Sequence, residues 1–261
     1  MARPHIEFID ALSVPAEELA EGPFAGATRR LLSEDDETGA WTGLVSLPAG
    51  FAGDLGSPGG AVELGRPVEL FGLRGDARCD GARVGEGIYA YVPGGGSHRL
   101  TAEAPAHLLV MVEAEAPASD GPVEVTDTST MRWAAPDLDA DVPPGIVIKL
   151  LRVDPGSGDW TWVAGVAPGW QEERAEIHPT VEECLMLRGD ILLGTRGVMT
   201  AGSYFWRPGM VEHGPMLSRD GGLFFFRTKG GGMDVTHVPV PGWKELVDAY
   251  LEREPYFPAR L

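Results

Sequence analysis

Short apolar runs alternate along the chain with clusters of glycine, proline and acidic residues, and sustained helical stripes are almost absent. Trp41-Thr-Gly-Leu-Val-Ser-Leu, Trp160-Thr-Trp-Val-Ala-Gly-Val, Cys184-Leu-Met-Leu, Ser203-Tyr-Phe-Trp and Leu223-Phe-Phe-Phe are rich in β-branched and aromatic residues. Such residues fit a pleated, half-buried surface, so each run predicts a strand. Many short, evenly spaced strands predict a barrel or sandwich, an all-β fold. Two segments read as helices instead. Pro15-Ala-Glu-Glu-Leu-Ala predicts a short N-terminal helix. Trp243-Lys-Glu-Leu-Val-Asp-Ala-Tyr-Leu sets Trp243, Leu246, Val247 and Tyr250 on one stripe, suited to a barrel's outer wall or a partner.

The strand pattern repeats. Leu31-Leu32, Trp41-Thr42 and Gly50-Phe51 recur as Leu150-Leu151, Trp160-Thr161 and Gly169-Trp170, each pair 119 positions on. Glu69 and Leu73-Arg-Gly-Asp76 recur as Glu183 and Leu187-Arg-Gly-Asp190, at a separation of 114. Gly87, Pro93 and His98 recur as Gly202, Pro208 and His213, at a separation of 115. So many matches in order, at nearly constant spacing, mark a tandem duplication. The predicted organisation is an N-terminal arm (1–27), a first barrel (28–114), a linker rich in Ala, Pro, Asp, Ser and Thr (115–145), and a second barrel with its C-terminal helix (146–261).

Composition narrows the setting. The 36 glycines and 22 prolines fit a chain of many turns. A formal charge of −18 repels phosphate backbones and anionic headgroups, which argues against nucleic-acid and membrane partners. No basic and apolar leader is visible, and two cysteines, Cys79 and Cys184, do not make a disulfide scaffold, so the expected compartment is the reducing cytoplasm.

The second copy carries the chemistry. Glu176-Ile-His178-Pro-Thr-Val-Glu182-Glu183 precedes a strand, and Gly202, Pro208 and His213 follow on the next. Ligands converging inside a small barrel must recur with period two within a strand, as Glu176 and His178 do. Three residues separate His178 from Glu182 and six separate Glu182 from Gly189; five separate Gly202 from Pro208 and four separate Pro208 from His213. In these spacings the chain resembles the cupin superfamily, over roughly residues 28–113 and 146–240. The resemblance implies two tandem jelly-roll barrels, a bicupin, with one divalent transition metal held by His178, Glu182 and His213. Among cupins the pattern looks closest to bicupins whose barrels resemble the zinc-binding cupin of anti-sigma factors, with neighbours resembling dioxygenases of small carbonyl or diketone compounds. Glu176 stands where the family has its first histidine, and Met210 stands at the glycine of its second motif.

Two imidazoles and a carboxylate with open positions suit Fe²⁺ first, with Zn²⁺ or Mn²⁺ as alternatives. Glu176 is then either a fourth ligand or a catalytic base beside it. Three functions compete: an oxygen-using enzyme on a small organic substrate; a metal-dependent isomerase, cyclase or hydrolase in which Glu176 or Glu212 moves a proton; and a zinc-stabilised binding or sensing module. In the first copy, counting back from Gly75, Val62, Leu64 and Val68 occupy the positions of Glu176, His178 and Glu182, leaving His98 as a hydrogen-bonded barrel histidine. Glu69 and Glu183 are expected in surface pairs with Arg74 and Arg188, Phe224-Phe225-Phe226 in the core, Cys184 as a buried thiol, and Arg227 and Lys149 solvated or ion-paired. Tyr204 and Trp206 have no assigned face, and His5, His107 and His237 no role. The expected assembly is a monomer or a homodimer.

Overall fold

The computed structural model describes residues 3–55, 66–114, 120–136, 144–231 and 234–252. The chain divides into two compact units, Met1–Pro4 with Asp10–Met131 and His5–Ile9 with Arg132–Leu261. Both are built almost wholly of β-strands, as the runs of β-branched and aromatic residues predict.

In the first unit one sheet orders its strands Glu124–Asp127, Ile88–Val92, Val68–Arg74, Ala106–Val112, Trp41–Leu47, Thr28–Glu34 and Glu17–Glu18. A second orders Phe51–Leu55, His98–Ala102, Asp76–Cys79 and Ala82–Gly85. Val45, Leu70, Leu108 and Val110 from the one meet Phe51, Leu55, Cys79 and Leu100 from the other in a single buried core.

In the second unit Ile6–Asp10, Ser203–Arg207, Val181–Leu193, Gly222–Lys229, Trp160–Val166 and Ile146–Val153 lie side by side. The far end of Val181–Leu193 leaves this sheet to pair with Gly197–Thr200 and Met216–Leu217. Arg174–Ile177 pairs with Thr236–Pro239. The C-terminal helix, Trp243–Leu251, buries Trp243 and Tyr250 with Leu192 and Leu217 of its own unit, while the Tyr250 hydroxyl donates to Asp190.

The repeated Leu-Arg-Gly-Asp marks the corner where a strand passes from one sheet to the other. Gly75 separates Val68–Arg74 from Asp76–Cys79 at φ 73°, and Gly189 bends Val181–Leu193 at φ 83°. Both values lie in the left-handed region that suits glycine. A Cβ on Gly189 would sit 1.9 Å from the Gly221 carbonyl oxygen, and one on Gly75 2.4 Å from that of Pro105. We expect Gly189→Ala to destabilise the protein by roughly 2–3 kcal/mol, combining backbone strain with the overlap. Urea denaturation checks it; an unchanged midpoint would remove the steric account of this corner.

Three sequence expectations are corrected. No helix forms at Pro15–Ala20: Glu17–Glu18 is a strand paired with Thr28–Glu34, and Arg29 binds Glu17 at 2.6 Å. Local helix propensity yields there to an available sheet edge. Nor is residues 1–27 only an arm, since Ile6–Asp10 is a strand in the second unit's sheet. The stretch read as a linker contains the strand Glu124–Asp127, which completes the first unit's sheet against Ile88–Val92, and Ala134, which bridges to Ile148. Its Val-Thr pair was masked in the sequence by the surrounding Pro and Ser.

Candidate metal centre

Three strands and a loop bring the second copy's polar residues together. Glu182 opens Val181–Leu193 with its side chain inward, on the face of Cys184 and Met186, which lie in the core. Glu176 and His213 face each other across an isolated antiparallel bridge. The Glu176 N–H donates to the His213 carbonyl at 2.7 Å, and the His213 N–H donates back at 3.0 Å. His178 lies two residues beyond Glu176, and its carbonyl accepts from the N–H of Met210 at 2.8 Å. Met210 has φ 65°, so it takes up the left-handed conformation at the position where the family motif has glycine.

The tautomers of both histidines follow from their partners. His178 Nδ1 lies 2.9 Å from the Thr180 carbonyl and His213 Nδ1 lies 3.0 Å from that of Val211. A carbonyl can only accept, so each Nδ1 carries the proton and each neutral ring presents a bare Nε2. The two Nε2 atoms lie 3.9 and 3.7 Å from Glu182 Oε2, and the rings are 5.0 Å apart at 84°. His178, Glu182 and His213 are all buried, and one donor atom from each falls within 4.8 Å of the others. Among the described residues this is the one such group. His178 Nε2 is buried without a hydrogen-bond partner, an orphan lone pair that a cation would satisfy. The donor set therefore fits a divalent metal ion.

The electrostatics favour the same reading. Burial and the Arg207 guanidinium push His213 down to about 4, so its imidazole is neutral at physiological pH. Burial works to raise Glu182, but the positive charge it meets, from His213 and His178 when they are protonated and from Arg207 at every pH, outweighs it and holds the carboxyl below its ordinary value. Glu176 goes the other way: burial, then the nearby charges of Glu182 and Glu172, push it up to about 8. Its Oε2 lies 3.8 Å from His213 Nε2, at the margin of the triad.

A cavity opens beside the group, lined by Glu172, Glu176, Glu182, Arg207, His213 and His237 on its polar part and by Trp162, Trp170, Phe205, Phe224 and Phe226 on its apolar part. Phe224 and Phe226, expected simply as core, thus also line the cavity, and alternation fixes the face of their neighbours. Phe205 and Arg207 point in, whereas Tyr204 donates its hydroxyl to Glu183.

Several functional neighbours were missed by sequence reasoning. Arg207, 1% exposed, stands opposite Glu182 in register and donates Nη1 to Glu182 Oε2 at 2.9 Å. It also approaches Glu7 of the N-terminal strand at 3.5 Å. The Pro-Gly corner after it hid its parity, and nothing in the sequence signals Glu7. His237, 3.8 Å from Glu172, is brought to the cavity by pairing opposite Glu176, a contact 61 residues apart in the chain.

Other expectations are revised. Glu183 is no surface partner of Arg188; it is buried against Arg227 Nε at 3.1 Å and Tyr204. Glu69 is likewise buried, accepting from Tyr89 at 2.7 Å instead of pairing with Arg74 at the surface. The duplication thus preserves a Glu–Tyr pair (Glu69–Tyr89 and Glu183–Tyr204) rather than a Glu–Arg pair. Glu212 is exposed and is not among the cavity's lining residues. Lys149 lies over the Trp133 ring at 4.3 Å. Cys184 is buried and its thiol is held protonated by that burial. His5 approaches Glu7 and His107 bonds Ser46.

In the first unit Val68 is core, while Val62 and Leu64 lie outside the described residues. The residue opposite His98 in register is Leu55, where His213 faces Glu176. His98 Nδ1 is held by Asp80 at 2.7 Å, as a hydrogen-bonded barrel histidine would be.

Comparison with known proteins agrees with this architecture. Residues 13–233 match the family described as a domain of unknown function, DUF4437, and the chain belongs to that family. No curated protein matches. Among solved structures, a proposed dioxygenase from Nostoc punctiforme aligns with TM-score 0.76 at 20% identity, covering 92% of each chain. A cupin 2 conserved barrel protein from Leptotrichia buccalis aligns with TM-score 0.57 at 10% identity, covering 87% of this chain and 97% of that one. A variant of the oxalate decarboxylase of Bacillus subtilis aligns with TM-score 0.59 at 14% identity, covering 95% and 84%. The fold is the cupin jelly roll, twice over.

Proposed function

We propose that the chain is a metal-dependent cupin enzyme that transforms a small organic molecule in its second barrel. The observation that carries this reading is the convergence of two bare imidazole nitrogens and a buried carboxylate beside an aromatic-walled cavity that His213 and Glu182 line. His178, Glu182 and His213 would hold the ion, with Fe²⁺ the first choice and Mn²⁺ or Zn²⁺ the alternatives. Bound iron would supply open positions for O₂ and substrate, the chemistry of a dioxygenase. The protein's own residues do the rest. Arg207 fixes the Glu182 carboxylate, the backbone carbonyls of Thr180 and Val211 fix the ring tautomers, and the aromatic wall excludes water. The likeness to the Nostoc protein and to a decarboxylase described with Mn(II) centres supports a metal-using cupin.

A second reading rests on Glu176. A carboxyl pushed up to about 8 beside the triad is matched to proton transfer near neutral pH, which suits an oxygen-independent isomerase, cyclase or hydrolase. Purification without air, loading with Fe²⁺ and measurement of O₂ uptake over small carbonyl compounds separates the two. Substrate-dependent uptake by wild type is expected; turnover without oxygen that is lost in Glu176→Gln would establish the second reading instead.

We place the protein in a reducing cytoplasm, in keeping with two free, buried cysteines, and acting as a monomer or homodimer without nucleic-acid or membrane partners. Among the described residues no helix is long and apolar enough to cross a membrane.

A further inference from the structure

Glu7 lies in the strand Ile6–Asp10, which extends the second unit's sheet beside Ser203–Arg207. Its carboxylate meets two arginines. Oε2 lies 3.2 Å from Arg196 Nε, and Oε1 lies 3.5 Å from Arg207 Nη2. Each arginine reaches a different part of the metal centre. Arg207 Nη1 donates to the Glu182 carboxylate at 2.9 Å, and Arg196 Nη2 donates at 2.6 Å to the carbonyl of Glu212, the residue before His213. His213 sits on an isolated bridge with Glu176 and not within a ladder, so its backbone depends more on bonds made by its neighbours.

The duplicated copy supplies an internal comparison. Ile6-Glu-Phe-Ile-Asp10 recurs as Val123-Glu-Val-Thr-Asp127, 117 positions on. Both stretches end in the same turn: Asp10 Oδ1 accepts from the N–H of Leu12 at 2.9 Å, and Asp127 Oδ1 from that of Ser129 at 2.8 Å. Glu124–Asp127 pairs with Ile88–Val92, which matches Ser203–Arg207 at a separation of 115, so Glu124 is the counterpart of Glu7. What the repeat does not carry is the arginines. Val92 stands at the position of Arg207, and the turn that holds Arg196 between Leu193 and Gly197 is shortened to Asp80-Gly81 between Cys79 and Ala82. Glutamate and arginines occur together in the copy that also has His178 and Glu182.

We infer that Glu7 is a positioning residue of the metal centre: through Arg207 it steadies the Glu182 carboxylate, and through Arg196 it steadies the backbone that presents His213. The inference rests on the reading of His178, Glu182 and His213 as metal ligands. Charge alone is the competing explanation. Asp10→Asn tests it, removing one negative charge from the same strand while an amide oxygen keeps the bond to Leu12.

Co²⁺ is titrated into the metal-free, full-length chain, with its visible absorption reporting ligand geometry. Wild type, Asp10→Asn and Glu124→Gln are expected to share one affinity and one spectrum. Glu7→Gln and Arg196→Leu should each weaken binding about tenfold, the lower end for groups that orient a metal's ligands, and change the absorption. Together they should weaken it by less than the product of the single effects, because they share one connection. A second readout needs no metal. Exchange of the His213 amide, which donates to Glu176, should quicken about tenfold in Arg196→Leu, the loss of one charge-assisted hydrogen bond, relative to the amides of Gly222–Lys229. It should move in the same direction in Glu7→Gln. The inference is overturned if Glu7→Gln leaves cobalt affinity, absorption and the His213 amide as in wild type, if Asp10→Asn weakens binding as much, or if the two single effects multiply in full. A wild-type chain that takes up no cobalt, yet whose His213 amide quickens in Glu7→Gln, would defeat the metal reading and keep the positioning of His213. A chain that binds cobalt alike with and without the Glu7 carboxylate would defeat the inference alone.

Discussion

Native protein is expected to carry about one divalent ion per chain, and His178→Ala and His213→Ala are each expected to lose it. Each substitution removes one of the bare Nε2 atoms that surround Glu182 Oε2 at 3.7–3.9 Å. Disturbing only the groups that orient a metal's ligands typically costs 10–100-fold in affinity, so loss of a ligand itself should cost at least about 100-fold. The remaining imidazole and carboxylate would bind too weakly to survive dialysis. Elemental analysis after dialysis, with circular dichroism to verify folding, gives the answer. Metal content unchanged in both variants would sink the site. His98→Ala supplies the internal control: its residue is held by Asp80 and faces Leu55, so no metal should be lost.

The contrast between His213 and His98 shows how far the sequence could be read. The resemblance of the second copy's motif spacings to the cupin pattern implied that His178, Glu182 and His213 converge; the period of a strand by itself grouped only Glu176 with His178. The duplication was equally legible, since Leu-Arg-Gly-Asp recurs wherever a strand must turn into the second sheet at Gly75 or Gly189. What remained hidden depends on which strands become neighbours. Glu183 meets Arg227 and Tyr204 only because Gly222–Lys229 and Ser203–Arg207 flank the strand that carries it. The pattern of the chain gives no sign of those partners, and a glutamate on the face opposite the site reads as solvent-exposed. His237 and Glu7 reach the site's surroundings through pairings of the same long-range kind. The short N-terminal helix failed for a related reason: Pro-Ala-Glu-Glu-Leu-Ala favours a helix in isolation, but the edge of Thr28–Glu34 supplies hydrogen bonds that a lone helical turn cannot match.

Arg207 is where this long-range architecture has its largest energetic consequence. Arg207→Leu should destabilise the metal-free protein by about 3–5 kcal/mol, because it leaves the Glu182 carboxylate buried without its cation. Glu182 is 5% exposed and accepts directly from Arg207, so solvent cannot replace the lost partner. Glu7 is the weaker end of the network, half-exposed and 3.5 Å from the guanidinium, and Glu7→Gln should cost well under half as much. Saturating metal should shrink the Arg207→Leu penalty, since a divalent ion between the imidazoles would itself neutralise Glu182. The double variant Arg207→Leu, Glu182→Leu separates charge from packing. If the penalty arises from an unpaired buried carboxylate, removing that carboxylate restores much of the metal-free stability; if it arises from lost packing over the Phe205 ring, where the guanidinium carbon sits 4.2 Å from the centroid, it does not. Denaturant unfolding of the metal-free proteins, and of wild type and Arg207→Leu with metal as well, reads these differences. A metal-free Arg207→Leu protein as stable as wild type, or a double variant no more stable than the single one, would show that Glu182 does not depend on Arg207 for its charge balance.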